Sequence, residues 1–158
     1  MHKIGLIDCF KNPDYPHLGV SHGDLMHSII AHENDEVEIV DIEASDEKGN
    51  MTNNSVCDAL YTAIHEAVDI INMSICFTEF SETLQSICQK AQAQDILIFA
   101  ACDKSKLLFP SDFYCVIKVT AARSSDHLER RFNTLNATPD SALEFITSLG
   151  DRVCSQTA

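Results

Sequence analysis

Two rhythms of apolar and polar positions alternate along this chain. The short apolar run Ile4-Gly5-Leu6-Ile7, closed by Asp8, predicts a buried strand from Lys3 to Asp8. A turn-rich stretch, Asn12-Pro13-Asp14-Tyr15-Pro16, follows. Leu25, Met26, Ile29 and Ile30 then recur at helical spacing and predict a helix over 22–32. Val37 to Ile42 alternates acidic and apolar residues as a strand does, and Asp46 to Asn54 is a polar turn. Ser55, with Asp58 three residues on, resembles a capping box opening a helix through Cys57, Leu60, Ile64 and Ala67. Val68 to Ile75 is a second buried strand. Ser81 caps a helix carrying Leu84, Ile87, Cys88 and Ala91, and strands are expected over 95–101 and 114–121. Thr138-Pro139 opens a last helix ending near Gly150, with proline at its first position and glycine beyond its end. Repeated strand–helix units imply an α/β fold: three layers, a mostly parallel sheet with helices on both faces. No linker or internal repeat divides the chain, so residues 1–158 are expected to form one domain.

Ligands of open parallel sheets sit beyond the carboxyl ends of the strands. Three predicted strands end in residues with chemistry to offer: Asp8-Cys9, Ser74-Ile75-Cys76 and Ala101-Cys102-Asp103. Their convergence would define a site.

Composition narrows the partners. Eleven basic residues against twenty-four acidic ones leave a net charge of −13. That field repels phosphate backbones, excluding nucleic acid as a partner, and favours a basic peptide or protein. No apolar run approaches the ~18 residues of a membrane span. The start of the chain is too short and too structured for a signal peptide. Seven cysteines without paired spacing do not resemble a disulfide framework, which points to the reducing cytoplasm. No glycine-rich nucleotide loop and no zinc-knuckle spacing is present, so neither cofactor nor metal is expected. None of this indicates an oligomeric state.

The strand exit Ala100-Ala101-Cys102-Asp103, followed by Phe109-Pro110 and Val116-Ile117-Lys118-Val119-Thr120-Ala121, resembles the oxyanion-hole region of subtilisin-like serine peptidases (subtilases). The family's glycine and asparagine stand here as Cys102 and Asp103. Ile4 to Cys9 is similar to the segment bearing the triad aspartate, which the resemblance places at Asp8. Ser21 to Ile30 resembles the helix start bearing the triad histidine, placed at His22. Asp69 to Cys76 is similar to the segment that pairs with bound peptide, so Ser74, Ile75, Cys76, Ala101 and Cys102 are the implied substrate-binding residues. Asn133 to Pro139 is similar to the nucleophile segment, and the nucleophilic serine then falls on Leu135. The chain is much shorter than a full domain of that family. It looks trimmed before Val37 and between Ala122 and Asn133.

Acyl transfer of this kind needs a hydroxyl nucleophile, a histidine base, a carboxylate that fixes its tautomer, and a donor to the oxyanion. Asp8 and His22 can supply the second and third. Leu135 has no lone pair, and an ionised Asp103 accepts rather than donates, where loss of one donor costs about 10²–10³ in rate. The first expectation is therefore a pseudoenzyme that binds a peptide or partner protein through the former substrate cleft. The second is an active peptidase with an unrecognised nucleophile, of which Ser141 is one, or one completed by a second subunit. The third is an unrelated α/β domain with thiol or ligand chemistry, though the first loop lacks a flavodoxin-like phosphate cradle. Cys9, Cys76 and Cys102 are read first as small apolar fillers of the cleft, with a thiol activated by His22, a metal cluster with His22 and Asp103, or a disulfide as alternatives. Asp14, Asp24, Glu33, Asp35, Glu36 and Glu38 are expected to be a solvated face or an acidic rim at the cleft mouth.

Overall fold

The computed structural model describes residues 1–14, 18–103, 105–121, 129–131 and 134–137. In chain order these form β1 (His2–Asp8), α1 (His22–Glu33), β2 (Val37–Glu43), α2 (Asn53–His65), β3 (Ile70–Met73), α3 (Glu82–Gln92), β4 (Leu97–Ala101), β5 (Ile117–Ala121), β6 (Glu129–Arg131) and β7 (Thr134–Ala137). All seven strands share one sheet in the order β2-β1-β3-β4-β5-β7-β6. Every pairing is parallel except β6 with β7.

Side chains alternate across the sheet and divide the core. Ile4 and Leu6 of β1 join Ile30, Ile70 and Phe99 on the α1 face. Ile7, Ile71, Met73, Ile98 and Ala100 point the other way, against Leu60, Ala63, Leu84 and Ile87 of α2 and α3. The period of two places Asp8 on the same face as Leu6, toward α1. After β1 the chain turns to the α1 face, and after β3 it turns to the face of α2 and α3. The crevice between the carboxyl ends of β1 and β3 is therefore the point where the winding reverses, which is where such sheets leave room for a ligand.

The observed elements shift several expected boundaries. Thr52, not Ser55, is the N-cap of α2; Ser55 is the third helical residue, and the two side chains and backbones satisfy each other reciprocally. Ala67 (φ 51°) and Asp95 (φ 60°) take left-handed turn conformations, so β3 and β4 begin later than their apolar runs. Residues 110–116 form turns before β5. The β6–β7 hairpin was not expected. The helix predicted from Thr138 lies outside the described residues.

Candidate functional site

The first turn of α1 places His22. Ser21 caps the helix, its Oγ accepting from Asp24 N (3.0 Å) while its own N–H and O–H donate to Asp24 Oδ2. His22 N–H donates to Asp14 Oδ2 (3.1 Å) and Gly23 N–H to the Cys9 carbonyl (3.0 Å). Every donor of that turn is therefore used, and the helix end offers nothing to an anion. Gly23 is required by packing: a Cβ there would sit 2.6 Å from the Phe10 ring.

His22 Nδ1 lies 2.8 Å from Asp8 Oδ1. With Asp8 ionised, Nδ1 is the donor of this bond, so in the neutral ring Nε2 carries the lone pair a general base needs. Asp8 is 1% exposed. Its Oδ1 also accepts from Cys9 N–H (2.8 Å), whereas Oδ2 is buried without a hydrogen-bond partner. Burial pushes the Asp8 carboxyl above the usual aspartate range, opposed by the hydrogen bonds from His22 and Cys9. Asp14 adds a smaller upward push through charge repulsion.

The pair opens into a cleft of about 420 Å³ lined by Asp8, Asn12, Asp14, His22, Met51 and Ser74, with Cys9 and Gly49. One wall is the 45–51 turn. Lys11 Nζ donates to the Asp46 carbonyl (3.2 Å) and Asn12 Nδ2 to the Gly49 carbonyl (3.0 Å), tying that wall to the loop after β1. Gly49 (φ 80°) makes the turn, and a Cβ there would meet the Asn12 amide at 2.8 Å. Sequence patterning gave no sign of this wall, because its contacts join backbone carbonyls to distant side chains.

The expected substrate-binding residues separate. Ser74 is exposed at the cleft, Ile75 is buried in the core beneath it, and Cys76 is exposed. Just beyond, Phe77 and Phe109 exchange both backbone hydrogen bonds (2.7 and 2.8 Å), so the protein's own chain fills the strand position there. Phe80 packs edge-on against Phe109 and Phe113 outside that bridge. Asp112 holds the 108–112 turn, accepting from Leu108 N–H and from Lys118 Nζ of β5. Ala101 and Cys102 are half-buried, and Cys102 N–H donates to the Val119 carbonyl (2.8 Å). Asp103 is exposed, and its Oδ1 accepts from both the N–H (2.8 Å) and the O–H (2.7 Å) of Ser105. Those bonds hold its carboxyl below the usual range. At neutral pH this side chain is an acceptor engaged in a local turn.

Leu135 does not join the site. It lies within β7, paired with Val119 of β5. Four strand spacings, about 19 Å, separate β7 from β1, and a residue inside a sheet ladder is not on a loop before a helix. The match of 133–139 to a nucleophile segment rested on residue types that suit a strand end as well. The acidic rim also disperses. Asp14 lines the cleft, whereas Asp24 caps α1, Glu38 approaches Lys3 (3.9 Å), and Asp35 and Glu36 line a separate hollow with Met1 and His2. Cys9, Cys57, Cys76, Cys88 and Cys115 are free thiols. Burial pushes Cys57, Cys88 and Cys115 up, which keeps them protonated and inert. Among the described residues no three His, Cys, Asp or Glu side chains are placed to hold a metal ion, and no helix is long and apolar enough to cross a membrane.

The model of the subtilase family of peptidases matches residues 17–150. The chain belongs to the subtilase family. Three solved structures share the fold of this subtilase. A lanthipeptide protease matches with a TM-score of 0.63 and 20% identity over 85% of this chain and 52% of its own. The prenylagaramide maturation protease PagA matches with a TM-score of 0.66 and 16% identity, covering 94% and 73%. The patellamide maturation protease PatA matches with a TM-score of 0.64 and 17% identity, covering 88% and 62%. The subtilase described here thus spans about half to three-quarters of those chains. A search of curated proteins returned no match.

Proposed function

We propose that this subtilase is a non-catalytic member of its family that binds a peptide or a partner protein in the cleft beside Asp8 and His22. One observation carries the reading. Asp103, which the resemblance places at the family's oxyanion position, is a carboxylate committed as an acceptor to Ser105. A negative group there opposes the charge that develops in acyl transfer, where each missing donor costs about 10²–10³ in rate. Leu135, in a strand far from His22, adds no support. An extended peptide has Ser74 and the neighbouring backbone to pair with, up to the point where Phe109 takes over. The three similar structures are proteases by name, one of them a lanthipeptide protease, which agrees with a peptide ligand. Free thiols agree with residence in a reducing cytoplasm.

A second reading, an active peptidase, is favoured by the Asp8–His22 pair itself, held at 2.8 Å in the tautomer of a base. Its nucleophile would come from another part of this chain, Ser141 included, or from a second subunit. Hydrolysis of casein and a mixed peptide library separates the two. The non-catalytic reading expects no cleavage above a His22→Ala control. Cleavage abolished by His22→Ala overturns it.

A further inference from the structure

The charge lining the cleft is one-sided. Asp8 and Asp14 line it, and among the described residues no lysine or arginine does. The adjoining cation, Lys11, donates to the Asp46 carbonyl on the outer wall. Beneath the floor a third carboxylate, Glu43, is held by Ser45 and Phe10. Its hydrogen bonds keep Glu43 below the usual range despite burial. Asp14 uses Oδ2 on the His22 backbone N–H, and among the described residues no hydrogen bond occupies its Oδ1. The Asp8 side chain is almost wholly buried, and its Oδ2 lacks a partner. Two carboxylates that repel each other beside a small cleft, one exposed at its edge and one buried under it, are stabilised together by one inserted cation through their charge. Among the described residues no three side chains are placed here to hold a metal ion.

We propose that this cleft selects a cationic side chain, a lysine or arginine of the bound peptide, seated beside His22 and paired with Asp14 over the buried Asp8. The proposal rests on the peptide-binding reading above and names the residue that reading leaves open. Ser74 and Met51, which also line the cleft, suit the polar end and apolar stem of such a side chain. A carboxylate-bearing peptide would meet Asp8 and Asp14 and be rejected.

The test uses the full chain and fluorescent hexapeptides with both ends capped, identical except for one central lysine, norleucine or glutamate. Binding is measured by polarisation at low ionic strength with the protein as it stands and with Asp14→Asn. The lysine peptide is expected to bind about tenfold tighter than its norleucine isostere. Asp14→Asn, which keeps an acceptor for the His22 N–H, should erase most of that advantage. Equal binding of lysine and norleucine peptides, or an advantage untouched by Asp14→Asn, overturns this inference and leaves the peptide-binding reading standing. Tighter binding of an uncapped norleucine peptide than of the capped lysine peptide assigns the cleft to a terminal ammonium and overturns the side-chain assignment. Failure of every peptide to bind sinks both readings.

Discussion

Asp8 is where fold and chemistry conflict most directly. A charge buried with one unpartnered oxygen destabilises the folded state, and the carboxyl responds by shifting upward. A carboxyl raised on folding contributes stability that is full below its unfolded value of 3.8 and is lost as pH rises through the folded value. Urea unfolding of wild type and Asp8→Asn between pH 4 and pH 7 should show the balance moving toward the variant as pH increases. A constant difference would mean that Asp8 is not strained by its burial. The resemblance to the family singled out Asp8 and His22, and the structure brings their side chains within 2.8 Å. The roles of Asp14 and of Ser105 beneath Asp103 were not legible in the sequence, since an acid in a loop shows no partner until the chain folds.

Helix α1 and the loop after β1 act as one unit. Gly23 lets the Phe10 ring lie against the first helical turn, while Cys9 and Asp14 take its N–H groups. Replacing Gly23 by alanine gains up to ~1 kcal/mol of helix propensity but forces Phe10 aside, an overpacking worth about 1–3 kcal/mol. The second effect wins, and Gly23→Ala should lower the unfolding free energy by about 1 kcal/mol. Adding Phe10→Ala should make the same glycine replacement neutral or stabilising. Destabilisation that persists without Phe10 would place the constraint in the backbone instead. Strands β1, β2 and β4 and helices α1 and α3 followed from apolar runs and caps. The start of α2 did not, because Thr52 and Ser55 can each serve as a cap and only the fold decides between them. Strands β6 and β7 escaped notice because they are short and draw on polar residues, so their pairing owes nothing to hydrophobic period.

The winding of the sheet puts the reversal between β1 and β3, and the cleft with Asp8, His22 and Ser74 sits at that point. Alternation of strands and helices was enough to anticipate a parallel sheet with its site at the strand ends. It did not order the strands, which depends on which face each helix crosses. The net charge of −13 acts on the whole molecule. Self-repulsion of that size destabilises the compact state and is screened by salt. Raising sodium chloride from about 20 to about 200 mM shortens the Debye length from about 20 Å to about 7 Å, and the melting temperature should rise by a few degrees. A fall would show that attractive pairs such as Lys3–Glu66 (3.0 Å) outweigh the repulsion.

A non-catalytic subtilase requires that the Asp8–His22 pair activates no nucleophile. Active-site labelling of the folded protein with a fluorophosphonate probe and, in parallel, an iodoacetamide probe, read by peptide mass mapping, asks this most directly. The account predicts no serine labelling above a His22→Ala control and no fast, His22-dependent labelling of Cys9, Cys76 or Cys102. A serine modified only when His22 is present would contradict it and identify the nucleophile of an active peptidase.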